Sequence, residues 1–152
     1  MSDVFSVTWT VTWDMLHRDA ALLAARLRML GPFTGIVAVA RGGLVPAAIV
    51  ARTLDIRIVD TICVASYDDR KRGDLRVLKP VAGDGASLLI VDDLADTGIT
   101  ARVTRAMLPK AHFATVYAKP AGKALVDTFV TEINQDTWIQ FPWDAEPQIA
   151  PS

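Results

Sequence analysis

The sequence predicts an α/β fold in which a mainly parallel, twisted sheet is flanked by helices. Short apolar runs alternate along the chain with stretches of helical periodicity, which is the order of a parallel sheet with crossover helices. The run LLIV at residues 88–91 is apolar at every position, as a strand covered on both faces must be. It and the earlier run GIVAVA (residues 35–40) each lead through a polar, glycine-containing turn into a helical pattern. A length of 152 residues is that of one domain, and 51% hydrophobic residues are ample for a continuous core.

The nearest approach to an internal repeat is Val-Thr-Trp, at residues 7–9 and again at 11–13. Over residues 13–30, Leu16, Ala20, Leu23, Leu27 and Leu30 form a helical stripe, with Thr12 as N-cap and Gly31-Pro32 as the stop. Residues 35–40 are a short buried strand, Arg41-Gly42-Gly43 a turn, and Pro46 lies in the first turn of a helix running to about Leu54. Residues 56–67 are rich in Ile and Val and read as one or two strands. In residues 68–74 every position except Gly73 is charged, so this segment is solvated. Residues 75–78 can return as a strand, and PVAGDG (80–85) turns into the strand at 87–91. A helix follows from about Gly98 to Leu108, stopped at Pro109, and residues 112–118 form another strand that ends at Lys119-Pro120.

Composition excludes several functions. A net charge of −1 gives no general attraction to phosphate polymers, and the one basic cluster is Arg70-Lys71-Arg72, so no nucleic-acid partner is expected. No window approaches the roughly 18 uninterrupted apolar residues of a membrane span, and the first residues lack the order of a signal peptide, so a cytoplasmic location is expected. The single cysteine, Cys63, sits in IVDTICVA and is expected to be a small core residue; disulfide frameworks and cysteine-rich zinc sites are excluded.

Chemistry concentrates in LLIVDDLADTGIT, residues 88–100. Open parallel sheets bind ligands beyond the carboxyl ends of their strands, which is where Asp92 and Asp93 stand. Thr97, Gly98 and Thr100 follow a strand and precede a helix, so their backbone N–H groups converge on an anion that the helix dipole also favours. A phosphate monoester is the natural guest. The G-x-x-x-x-G-K-[ST] pattern of a nucleoside triphosphate loop is absent. Two carboxylates facing a phosphate would repel it unless they hold hydroxyls or a hard cation, and Mg²⁺ prefers oxygen ligands shared with phosphates. A sugar phosphate with Mg²⁺ satisfies both ends. Taken singly, an Asp-Asp pair is more often a solvated turn or helix cap than a site, and Asp-Thr-Gly is a weak signal. Specificity lies in the joined string.

IVDDLADTGIT resembles the phosphoribosyl pyrophosphate motif of the type I phosphoribosyltransferases, in which two acidic residues follow a hydrophobic strand and D-T-G-x-T comes after. VARGGLVPAAIVAR (39–52) resembles that family's pyrophosphate loop, ASYDD (65–69) the start of its mobile catalytic lid, and VYAKPAG (116–122) with DTWIQFPWD (136–144) its purine hood. With VTWDML (11–16), these segments run almost colinearly with the bacterial purine members of the family that use xanthine and guanine, over nearly the whole chain. The resemblance implies the type I phosphoribosyltransferase fold as a single domain over 1–152, with a core at about 13–120 and a small purine-binding hood from about 121–152. It implies transfer of the 5-phosphoribosyl group from phosphoribosyl pyrophosphate to N9 of guanine and xanthine, hypoxanthine less well, giving GMP, XMP or IMP and pyrophosphate, with Mg²⁺ as cofactor. A homotetramer and, in some relatives, loose attachment to the inner membrane face are implied in the same way.

The same resemblance distributes roles. Asp92 and Asp93 fall to the ribose hydroxyls, with Asp93 nearest the Mg²⁺ shell and Asp144 as a second metal-associated aspartate. Leu94, Ala95, Asp96, Thr97, Gly98, Ile99 and Thr100 line the phosphoribosyl pyrophosphate site, the last four around the 5′-phosphate. Arg41 and Gly42 fall to the pyrophosphate, as does Arg72 in the lid, where Arg70 and Lys71 compete with it. Asp96 is placed at the purine N7, as a general base or as a charge that stabilises the transition state; its plainer role is a cap of the following helix. Lys119 would donate to the purine O6 and so reject adenine, whose amino group would face an ammonium. Trp138 would stack on the base, a contact worth roughly 1–3 kcal/mol on other base-aromatic platforms, and the main chain of Ile139 would read the second edge. Trp143 is open between stacking and packing.

Departures from the family pattern are Ile99 for a common glycine, Ala40 for a serine, Gly73 for the lid's basic residue, and Gln140 for a glutamate beside the purine C2 substituent. A neutral amide donates as well as accepts, which favours the C2 carbonyl of xanthine. Two other readings are weaker. A phosphoacceptor receiver domain needs its acidic pair after the first strand, and a non-catalytic relative that senses phosphoribosyl pyrophosphate and binds nucleic acid needs a basic face that this chain lacks.

Overall fold

Burial on both faces of the apolar runs organises the sheet, as seen in a computed structural model that describes residues 7–66 and 75–145. Six strands form it in the order β4-β3-β2-β5-β6-β7. They are β2 (Gly35–Ala40), β3 (Val59–Ser66), β4 (Leu75–Lys79), β5 (Leu88–Ala95), β6 (His112–Ala118) and β7 (Thr128–Glu132). All pair in parallel except β4, which runs antiparallel to β3 at one edge. Alternate side chains of β2 enter opposite cores. Ile36 and Ala38 join Leu16, Leu23 and Leu27 of α1 (Trp13–Arg28) and Ala47 and Val50 of α2 (Leu44–Leu54). Val37 and Val39 join Ala101 of α3 (Ile99–Met107) and Phe113 on the other face. The α/β architecture expected from the alternation is therefore present, with two helices on one face and one on the other.

Local signals account for the element ends. Thr12 caps α1, its Oγ1 accepting from the Met15 amide at 3.1 Å. The helix stops at Arg28, before the expected 30, and Leu30 is 52% exposed and outside the core stripe. β5 continues through both aspartates to Ala95, where the sequence suggested an end at 91, because its ladder with β6 goes on through Asp92↔Thr115 and Leu94↔Tyr117. Cys63 on β3 is half-buried and not the core residue expected.

Three strands lie where sequence reading assigned none. β7 extends the main sheet past residue 120. β1 (Val7–Thr10) and β8 (Thr137–Gln140) pair in parallel as a separate two-stranded sheet, Thr8↔Trp138 and Trp9↔Ile139 in register. A four-residue helix, α4 (Pro120–Lys123), starts directly after Lys119. Arg70, Lys71 and Arg72, competing for the pyrophosphate in the charged segment, lie outside the described residues. No helix among the described residues is long and apolar enough to cross a membrane.

Candidate active site

β2 and β5 lie side by side, but the chain leaves β2 for β3 on one side and leaves β5 for β6 and β7 on the other. That reversal opens a crevice at the carboxyl ends of β2 and β5, the place where open α/β sheets bind ligands. Arg41-Gly42-Gly43 enters it from β2, and residues 92–100 from β5.

Asp92 is 8% exposed, and its Oδ1 accepts the Asp93 amide at 2.8 Å. Burial holds its carboxyl well above the ordinary carboxylate range, and the neighbouring Asp93 charge pushes the same way. Asp93 is also raised, first by burial, with the charge of Asp144 adding to it against local hydrogen bonds that lower it. The Arg41-Gly42 loop rests on this pair: a Cβ at Gly42 would lie 2.4 Å from Asp93 Oδ2, and one at Gly43 would lie 2.4 Å from the Val91 carbonyl. Glycine at both positions is what lets one strand-end loop seat on the other. Arg41, Gly42 and Asp144 line a cavity of about 570 Å³ with Leu44, Val45 and Trp143.

Asp93 and Asp144 offer only oxygen donors, and their mutual repulsion is what a cation would relieve. Among the described residues no three His, Cys, Asp or Glu side chains gather around one point. A hard cation that takes its remaining oxygens from a substrate fits that pair. Asp144 Oδ2 also accepts the Phe141 amide at 3.0 Å, which fixes the carboxylate at the start of the 3-10 turn Pro142–Asp144.

A second, smaller cavity of about 80 Å³ is lined by residues 94–101 with Asp92 and Phe113. Gly98 caps α3 at φ 89°, a backbone conformation that demands glycine, and a Cβ there would also push Leu125 Cδ1 aside from 2.5 Å. The helix's N-cap, a glycine, offers no side-chain acceptor, and the Ile99 amide makes only a long bond to the Thr97 hydroxyl at 3.5 Å, so an anion seated at this helix start would meet donors. Asp96 is thus not the cap that sequence reading allowed. Next to Asp92 in register, Thr115 carries a buried hydroxyl with no partner among the described residues.

Asp96 is turned instead toward Lys119. The lysine side chain is 1% exposed, not solvated, and its Nζ lies 3.3 Å from Asp96 Oδ1. Their strands make the pairing: the Lys119 amide donates to the Ala95 carbonyl at 2.8 Å, one residue from Asp96. Gln135 Nε2 donates to the same Asp96 Oδ1 at 3.0 Å. Sequence reading missed Gln135, and nothing in a polar turn marks one glutamine as special.

Trp138 is 50% exposed on β8, while Ile139 turns its side chain into the core. The Val11 amide donates to the Gln140 carbonyl, so the Gln140 main chain faces β1. Strand alternation then turns the N–H and C=O of Ile139 to the opposite edge of the two-stranded sheet. Trp143 stacks on Phe141 at 4.9 Å and meets Trp13 edge-on at 6.1 Å, which makes it a packing residue. Gln140 Oε1 accepts from the Thr10 hydroxyl at 3.4 Å.

The pattern of the phosphoribosyl transferase domain matches residues 12–150. Over 151 residues the chain is 58% identical to the xanthine-guanine phosphoribosyltransferase of Desulfotalea psychrophila, covering 99% of this chain and 94% of that one. Over 148 residues it is 60% identical to the enzyme of the same name from Nitratidesulfovibrio vulgaris (strain Hildenborough), covering 97% and 91%. Among solved structures it is similar to a purine phosphoribosyltransferase from Pyrococcus horikoshii Ot3, with a TM-score of 0.78 at 31% identity over 95% of this chain and 99% of that one. It shares the fold of a Helicobacter pylori xanthine-guanine-hypoxanthine phosphoribosyltransferase at 23% identity, with a TM-score of 0.75 over 90% and 94%. By sequence pattern and by fold, the chain belongs to the phosphoribosyl transferase domain family.

Proposed function

We propose that this chain is a purine salvage transferase that moves the 5-phosphoribosyl group from phosphoribosyl pyrophosphate to N9 of guanine and xanthine, and less well hypoxanthine. The observation that carries the reading is the shared strand end: the anion cradle at residues 97–100 and the contact of buried Lys119 with the partly exposed Asp96 both lie at the end of β5, one suited to a phosphate and the other to a 6-oxopurine.

In such a transfer the anomeric carbon gains positive charge as pyrophosphate leaves. Asp92 and Asp93 hold the ribose hydroxyls beneath that charge, and their field favours it. The amides of residues 98–100 fix the 5′-phosphate, and Arg41 with the Gly42 amide receives the leaving pyrophosphate. Asp93 and Asp144 would hold Mg²⁺, which when bound neutralises and orients the pyrophosphate. Lys119 donates to the purine O6, Trp138 stacks on the ring, and the outward main chain of Ile139 pairs with its second edge. Asp96 faces N7 and either takes a proton or balances charge there. A homotetramer, and attachment to the inner membrane face, rest on resemblance alone. Arg72 is the lid residue assigned to the pyrophosphate on the same footing.

The test is pyrophosphate release from phosphoribosyl pyrophosphate and Mg²⁺ with guanine, xanthine, hypoxanthine and adenine. Turnover with guanine and xanthine, and little with adenine, is expected. No release with any 6-oxopurine would favour the sensing, non-catalytic alternative. The same assay addresses Gln140, whose Nε2 can donate to a C2 carbonyl. Gln140→Glu should raise the guanine-to-xanthine ratio of kcat/KM by about three- to tenfold, since a carboxylate accepts from the guanine amino group and repels the xanthine oxygen. Equal ratios in parent and variant would dispose of that assignment.

A further inference from the structure

We propose that Gln135 is a positioning residue that sets the Asp96 carboxylate against the base and ties it to the turn carrying Trp138. The inference rests on the purine-transfer reading above. Gln135 is an exposed side chain, yet both ends of its amide are engaged. Oε1 accepts the Ala121 amide at 2.8 Å, while Nε2 donates to Asp96 Oδ1 at 3.0 Å and to the Asp96 carbonyl at 3.3 Å. The chemistry of the partners fixes which end is which, because a backbone amide only donates and a carboxylate and a carbonyl only accept. Gln135 therefore reaches both segments that flank the base site: the loop after β5 and the first turn of α4, next to Lys119.

Asp96 Oδ1 thereby receives two donors, the Lys119 ammonium at 3.3 Å and the Gln135 amide. Lysine alone would anchor the carboxylate as a point charge and leave it free to swivel. The amide adds direction, so the second oxygen is aimed as well as held. The link also runs the other way along the chain. Gln135 is the second residue of the turn closed by the Thr137 amide on the Asn134 carbonyl at 3.1 Å, and Trp138 follows on β8. One side chain thus joins the ribose-phosphate loop to the turn that leads into the aromatic platform.

The test is a double-mutant cycle of Gln135→Leu and Asp96→Ala, with KM and kcat for guanine and for phosphoribosyl pyrophosphate. Gln135→Leu should lower kcat/KM for guanine about tenfold, as expected for a modest misplacement of a group that touches the base. KM for phosphoribosyl pyrophosphate should stay within about twofold, since Gln135 bonds to Asp96 at the rim of that cavity and the glycine-capped start of α3 keeps its own backbone. In the Asp96→Ala background the same change should cost less than about twofold. Gln135→Glu keeps the acceptor for Ala121 but faces Asp96 with an oxygen, so it should be worse than Gln135→Leu although nearly isosteric. An unchanged kcat/KM in Gln135→Leu overturns the proposal, as does an equal loss in both backgrounds, which would mark a role in the turn alone. An inactive parent would sink the proposed function instead; the cycle is then read on urea unfolding midpoints, where strict additivity overturns the contact itself.

Discussion

Lys119→Met is expected to lower kcat/KM for guanine by about 10²–10³-fold while leaving the protein folded. The ammonium is buried at the end of β6 and contacts the partly exposed Asp96 at 3.3 Å. Removing it takes away the charged donor proposed for the purine O6, worth about 1.5–3 kcal/mol, and releases Asp96 from a charged anchor. Those two losses together reach the stated range, at about 1.4 kcal/mol per tenfold. Methionine fills most of the volume, and the carboxylate left behind reaches solvent, so stability should change little. A thermal midpoint within a few degrees of the parent would separate chemistry from unfolding. Lys119→Gln sharpens the test: its amide can accept from a 6-amino group, so discrimination against adenine should fall steeply from the parent's, which a buried donor can hold near 10⁴. Activity of Lys119→Met within tenfold of the parent, or adenine turnover equal to guanine in the parent, would remove Lys119 from base recognition.

Much of this site is legible in sequence because its parts are local. β2 spans residues 35–40 and β6 residues 112–118, as the apolar runs predicted, since each run is buried on both faces and ends at a charged residue, Arg41 or Lys119. The anion cradle is legible for the same reason: strand, glycine and helix start are contiguous in residues 88–100. What sequence reading missed is non-local. β1 and β8 are four residues each, carry polar residues, and become strands only because Thr8 meets Trp138 across most of the chain. β7 is a partly exposed edge strand whose pattern, TFVTE, is too short to separate from loop. Lys119 and Asp96 were each visible as candidates, but their contact follows from the register Ala95↔Ala118, which no local pattern encodes. Gln135 is further still from view, since its importance lies wholly in what it touches.

Asp92→Asn should stabilise the ligand-free protein while lowering its activity. The Asp92 carboxyl is raised well above its ordinary value of 3.8, first by burial and then by Asp93. For a group raised on folding, the favourable contribution is fully present below the unfolded value and is lost as pH climbs through the folded one. At high pH the buried pair is therefore a cost to the folded state, and the neutral amide removes it. Asparagine keeps an oxygen for the Asp93 amide that Asp92 Oδ1 now accepts at 2.8 Å, and gains a donor beside the Thr115 hydroxyl, which has no partner among the described residues. A gain of about 1 kcal/mol is a reasonable scale, or about 2–4 °C in Tm for a chain of this size. The gain should be largest at pH 8 without Mg²⁺ and should shrink toward pH 4. Transfer should suffer in the opposite sense, with kcat/KM for phosphoribosyl pyrophosphate down about 10²-fold, because the field beneath the anomeric carbon is weakened. Saturating phosphoribosyl pyrophosphate with Mg²⁺ should then stabilise the parent more than the variant, reversing their order. A lower Tm for Asp92→Asn at pH 8, or the same ligand-induced shift in both proteins, would mean that the buried pair is satisfied by the fold and not held in readiness for substrate.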